Sequence, residues 1–262
     1  MLLLLSTACG EPVATPEPVF LEAAGAMAME PLAADLAAAF QEQSPTVNIE
    51  VRGLGTGFGL EALRAGEVDF ALASWLPAGA VETQGWQATA IARDGLAVIV
   101  HPTNPATELG LLQLQDLFGG QVHDWGAMGG RWGRSVQPVS REAGSGVRAA
   151  FEALVMGERP VTPLAIVAPS EQAVVEYVAA HPNAIGYVSM NQTTPQVRVI
   201  AVEGLRPTPQ TAGDGSYPLS HELWLVAPRS APETVRAFFD FAQSPAGQQI
   251  VGRHFGPIAA AP

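Results

Sequence analysis

Lysine is absent from this 262-residue chain, so all 13 of its basic side chains are arginine. Against 25 acidic residues they leave a formal net charge of −12, which excludes the basic footprint that nucleic-acid binding requires. The missing lysine itself fits a genome biased toward GC-rich codons and carries no functional meaning. Charged residues make up only 15% of the chain. Cysteine occurs once, at Cys9, which excludes an internal disulfide. Catalytic constellations are missing too. His101, His123, His181, His221 and His254 are scattered without the paired spacing of a metal site, so no metal and no cofactor are expected. Ser145 lies in AGSGV, which lacks the Gly-x-Ser-x-Gly pattern of a nucleophile elbow, and GLGTGFG places Phe58 where a dinucleotide fingerprint needs its third glycine. The chain reads as a binder, not an enzyme.

What is present is apolar and finely punctuated. Hydrophobic residues reach 48%, with 27 Gly and 22 Pro, the composition of a globular α/β chain with many tight connections. Its length allows one large domain or two lobes, and alternating strand and helix signals favour two. Val19 to Ala23 predicts a strand. Leu32, Leu36 and Phe40 place one apolar stripe on a helix over 31–43, with Pro31 suited to its first turn. Val47, Ile49 and Val51 alternate as a strand, a helix carrying Leu60 and Leu63 stops at Gly66, and 68–73 is again a strand. A second series contains strands at 96–100, 136–139, 185–189 and 197–202, with helices around Leu112–Phe118, Val147–Val155 and Val174–Val178. A last block has a strand at 223–227 and a helix rich in Phe238, Phe239 and Phe241. Strand and helix in alternation imply right-handed crossovers and a parallel sheet.

In two places a strand ends, a small-residue loop carries hydroxyls, and a helix begins. Thr56 lies in the first loop; Ser140, Arg141, Ser145 and Gly146 lie in the second. Amides at such helix starts have no intrahelical acceptor and sit at the positive end of the dipole, so together the loops suit a tetrahedral oxyanion without needing a basic surface. Trp75, Trp86, Trp125 and Trp132 are read as core or hinge contacts.

The segments AGAMAMEPLAADLAAAF, VRGLGTGFGLEALRAGEVDFALAS, IARDGLAVIVHPTNP, LQDLFGGQVHDWGAMGG, VSREAGSGVRAAFEALV and NAIGYVSM, in this order, closely resemble the phosphate-binding proteins of ABC importers. The resemblance runs from about residue 19 to the C-terminus. It implies a type II periplasmic-binding-protein-like fold, mixed α/β, with lobe 1 formed by 19–94 plus 218–262, lobe 2 by 95–217, and the anion in a cleft between them. It implies inorganic phosphate as ligand, permease subunits of an importer as partners, and a monomer. Thr56, with Gly57 beside it, falls where that family has a hydroxyl in its glycine loop, and Asp69 falls at the aspartate after the following helix. Arg141, Gly144, Ser145 and Gly146 match a SREEGSGTR-like loop, while Ala26, Met27 and Ser74 complete the implied ligand set. Arg141 would offer bidentate donors to two oxygens, and Asp69 would accept the proton of a hydrogenphosphate.

There are departures from the family pattern. Ala24, Gly25, Ala26 and Ala28 occupy a loop that usually supplies hydroxyls, Val147 replaces a threonine, and Trp75 stands where arginine is frequent. Another oxyanion such as sulfate or molybdate therefore stays open, as does a sensory or structural lipoprotein that kept the fold without the ligand. Small residues before Cys9, behind the short apolar run from Met1, resemble a bacterial lipobox, and 10–18 has the Pro-rich, acidic character of a tether. These features imply an extracytoplasmic protein, lipid-anchored to the cell membrane through Cys9, with 1–18 as signal and tether.

Overall fold

The computed structural model describes residues 17–128 and 132–258; Cys9 and the tether lie outside the described residues. The elements follow the periodicity closely. β1 (Val19–Gly25), α1 (Glu30–Gln43), β2 (Val47–Gly53), α2 (Thr56–Ala65) and β3 (Phe70–Ala73) alternate along the first third of the chain. α1 has Pro31 in its first turn and buries the Leu32, Leu36 and Phe40 stripe. α2 begins inside the glycine run and ends at Gly66 in the left-handed region, φ 72°. A short α3 (Ala80–Thr83) leads into β4 (Trp86–Val100), and β5 (Glu108–Leu109) and α4 (Leu111–Gly119) follow.

β6 (Gln137–Arg141) runs directly into the second loop, and α5 (Gly146–Phe151) continues as a π-helical turn over 152–156. Then come β7 (Ile166–Ala168), α6 (Glu171–Ala180), β8 (Ala184–Ser189), β9 (Arg198–Val199), β10 (Ala201–Val202) and α7 (Pro209–Gly213). The chain closes with β11 (Ser220–Pro228), α8 (Glu233–Gln243), α9 (Pro245–Val251) and β12 (Gly256–Pro257).

The main sheet has the order β2-β1-β3-β11-β4-β8-β6-β7, with β9 and β12 also paired to β4. β1 pairs in parallel with β2 and β3, and β6 in parallel with β7 and β8. β11 is antiparallel to both β3 and β4, so the sheet is mixed. The long strand β4 joins its two ends: up to Gly95 it pairs with β11, and from Leu96 with β8.

Two predicted strands differ from what forms. The strand expected at 96–100 is the second half of β4. Its first half, with Gln87, Ala88, Thr89 and Ala90, has little intrinsic strand preference and is held by pairing along β11. The strand expected over 197–202 divides at Ile200, because β9 joins β4 while β10 joins β5.

Each end has its own core. Phe238 of α8 packs at 5.6 Å on Phe40 and 5.4 Å on Phe70, fastening the C-terminal helix to the sheet that α1 covers. Burying such a ring is worth about 1.5–3 kcal/mol. At the other end Phe151 stacks on Tyr187 at 3.9 Å, and the Tyr187 hydroxyl shares a 2.7 Å hydrogen bond with Ser140. That pair fixes the end of β6 beside Arg141. Trp86 and Trp125 are buried, while Trp75 and Trp132 pack half-exposed against the second core. Among the described residues no helix is long and apolar enough to cross a membrane.

Candidate functional site

The loops after β1, β2 and β3 meet the loop after β6 and the start of α6 around one small cavity. Ala26, Met27, Thr56 and Ser74 line it from the first group, and Arg141, Ser145 and Gly146 from the second, together with Ala28, Gly55, Val147 and Glu171. Its volume is about 10 Å³, room for about one water with the loops in this closed arrangement.

Local geometry explains how each group arrives. The Ala26 amide donates to Leu72 O at 2.9 Å, tying the first loop to β3. Thr56 Oγ1 lies 3.2 Å from Ser74 Oγ and accepts the Ser74 amide at 3.2 Å, so two buried hydroxyls from different strand ends hold each other in place. Ser145 caps α5, its Oγ accepting the Arg148 amide at 3.2 Å. Arg148 in turn donates to Arg141 O at 2.9 Å. Gly144, at φ 90°, takes the left-handed turn that brings Ser145 round. Gly146 sits so close to the opposite loop that a Cβ there would overlap Ser74 Oγ and Thr56 Oγ1.

Arg141 is 1% exposed, not a surface ion-pair partner. Its Nε and Nη2 each donate to the Glu142 carboxylate at 2.9 Å, and Nε also reaches Ala168 O at 3.2 Å. This fork fixes the guanidinium plane, leaving Nη1 4.0 Å from Glu171 Oε1.

Sequence reasoning missed Glu171. Its carboxylate is buried and accepts the Ser189 amide at 2.5 Å. Burial pushes its carboxyl above the ordinary value, against the lowering effects of the Ser189 amide and Arg141; Glu142 adds to the rise. In sequence Glu171 reads as a common first-turn acid behind a Ser170 cap, with nothing to mark it as part of a site.

One expected residue is misplaced and two play another part. Asp69 precedes β3, at the end of the strand opposite Ser74, roughly 15 Å away by strand rise. Its Oδ2 accepts the Glu22 amide at 2.8 Å while its own amide donates to Glu22 O at 2.9 Å. Asp69 braces β3 to β1 and does not face the cavity, because the helix-starting loops lie at the C-terminal ends of parallel strands. Gly57 and Gly144 do not line the cavity but bond to each other across its rim. A far larger cavity, about 570 Å³, is bordered by Trp75, Arg93, Tyr217 and Trp224 and contains none of the loop residues above.

Chemically, the small cavity offers hydroxyl donors, helix-start amides and one fixed guanidinium to something small with several acceptor oxygens. Known proteins share this architecture. The Bacillus subtilis phosphate-binding protein PstS is 27% identical over 231 residues, covering 86% of this chain and 75% of its own length. A Clostridium perfringens substrate-binding protein solved with bound phosphate superposes with a TM-score of 0.85 at 29% identity, covering 92% of this chain and 99% of that one. An ABC-type phosphate transport receptor from Vibrio cholerae superposes with a TM-score of 0.75 at 27% identity, covering 91% and 99%. The PBP superfamily domain matches residues 12–246, and the chain belongs to that superfamily.

Proposed function

We propose that the chain captures phosphate in this cavity and hands it to the permease subunits of an ABC importer, as a monomer and without turnover. The observation that carries this reading is the buried Arg141, held planar by Glu142 and facing two loops rich in hydroxyls and helix-start amides. The phosphate named in the relatives carries the several acceptor oxygens that these donors can meet. Lobe 1 is taken as 19–94 plus 218–262 and lobe 2 as 95–217, which accords with the change of partner along β4 between Gly95 and Leu96. The anion then lies in a cleft between the lobes, and closure excludes water from it. Residues 1–18 act as signal and tether, with Cys9 carrying a lipid that holds the protein at the outer side of the cell membrane.

Calorimetric titration with phosphate, sulfate and molybdate tests the reading. Phosphate is expected to bind best, and Arg141→Ala to weaken every oxyanion about 10- to 100-fold, the value of a charged hydrogen bond or two. Absence of binding by all three anions would favour a sensory or structural role.

A further inference from the structure

We propose that the larger cavity, beside the crossing of β4 and β11, is a second ligand site built for a small zwitterion with an aromatic body, the chemistry of an aromatic amino acid.

Strand pairing builds its polar floor. Ser220, Glu222 and Trp224 alternate along β11 with the buried His221, Leu223 and Leu225, so the three side chains share one face. Arg93 of β4 stands opposite Glu222 in the register and so lies on that same face. All four border the cavity, whose volume of about 570 Å³ lies in the ordinary range for small-molecule sites.

Two features of this floor leave it with interactions still to make. Arg93 is loosely held, with Nη2 3.5 Å from Glu222 Oε1 and Nη1 3.5 Å from Gly213 O, against 2.9 Å for the contacts that fix Arg141 to Glu142. Both members of the Arg93–Glu222 pair are half-exposed, so the pair contributes little by itself and gives way readily to other partners. Ser220 Oγ is buried without a hydrogen-bond partner among the described residues, a cost that a ligand acceptor would remove.

The walls are apolar and come from both ends of the sheet. Trp224 and Leu76 pack with the layer that α2 buries, while Trp75 and Leu154 pack against the core around Phe151 and Tyr187. An occupant therefore lies between indole and aliphatic surfaces, which suit an offset-stacked ring.

Charge selects among ring compounds. A carboxylate placed alone on Arg93 sits beside Glu222, in a chain already at a formal net charge of −12. An amine placed alone on Glu222 sits beside Arg93. An α-amino acid carries both charges on one carbon, so it meets guanidinium and carboxylate together and leaves neither opposed. The cavity shares no lining residue with the anion cavity, so the proposal goes beyond phosphate capture and does not depend on it.

Calorimetric titration of the purified chain with L-tryptophan, indole-3-propionate and tryptamine is the test, with phosphate titrated in parallel. L-Tryptophan should bind, and the other two, each lacking one charge, should bind about tenfold more weakly. Arg93→Ala should weaken L-tryptophan about tenfold or more and leave phosphate affinity unchanged. Glu222→Gln, which keeps the side-chain shape, should let indole-3-propionate bind as well as L-tryptophan. Absence of L-tryptophan binding at millimolar concentration overturns the site, as does an L-tryptophan affinity unchanged in both variants or its one-for-one displacement by phosphate. Equal affinity for indole-3-propionate in the unmodified chain overturns the zwitterion. Phosphate binding without L-tryptophan binding overturns this proposal alone, whereas L-tryptophan binding without phosphate binding supports it and overturns phosphate capture.

Discussion

The Gly57 amide donates to the Gly144 carbonyl at 3.0 Å, joining backbone to backbone two loops that are far apart in sequence. Neither residue has a side chain to hold them apart. A second link runs in parallel, from Asn191 Nδ2 to Ala28 O at 3.0 Å. Together they describe a site closed over its cavity.

That closeness makes Gly146 a steric test. A methyl group there would overlap Ser74 Oγ and Thr56 Oγ1, which belong to the opposite loops. Gly146→Ala should therefore reduce phosphate affinity by 100-fold or more, while the melting temperature without ligand stays within a few degrees because the two groups of loops can part. Unchanged affinity in calorimetry would show that closure is looser than the hydrogen bonds indicate.

Asp69→Asn gives the opposite result. The residue braces β3 to β1 through Glu22, so its loss costs about 0.5–1.5 kcal/mol of stability and leaves the ratio of phosphate to sulfate affinity as it was. A changed ratio would return Asp69 to the site.

The pH dependence of stability follows from two buried groups near the crossing of β4 and β11. Burial raises the Asp94 carboxyl to about 8 from 3.8, while its Oδ2 has no partner among the described residues. Burial lowers the His221 imidazole to about 4 from 6.5. Above pH 3.8 the unfolded chain has released the Asp94 proton that the folded chain keeps, so stability falls as pH rises toward 8, by at most about 1.4 kcal/mol per unit. Glu171, also raised, adds in the same direction. His221 acts oppositely, since the unfolded chain gains a proton below 6.5 that the folded chain refuses until about 4. The Asp94 and His221 slopes offset between roughly pH 4 and 6.5 and leave a net loss from there to 8. Asp94→Asn should raise the melting temperature at pH 8 relative to the unmodified chain and soften the decline above 6.5. An identical pH profile in the two proteins would mean that Asp94 is ionised in the folded state.

By itself the sequence determined the elements whose periodicity is local. The Leu32, Leu36 and Phe40 stripe, the alternation at Val47 to Val51 and the stop at Gly66 all act within a few residues, and each element formed where its pattern lay. It also carried the two strand-loop-helix junctions, because small residues and hydroxyls at a helix start are a local necessity. Tertiary structure decided what depends on pairing between distant segments. The first half of β4 is a strand because β11 lies beside it, not because Gln87 to Ala90 prefer that state. Asp69 and Glu171 exchange the positions their sequence contexts suggest for the same reason: which end of a strand faces the site is set by sheet direction. Strand direction sends Asp69 to the far end of β3, while the meeting of α6 with β6 and β8 carries an ordinary first-turn acid to the guanidinium of Arg141.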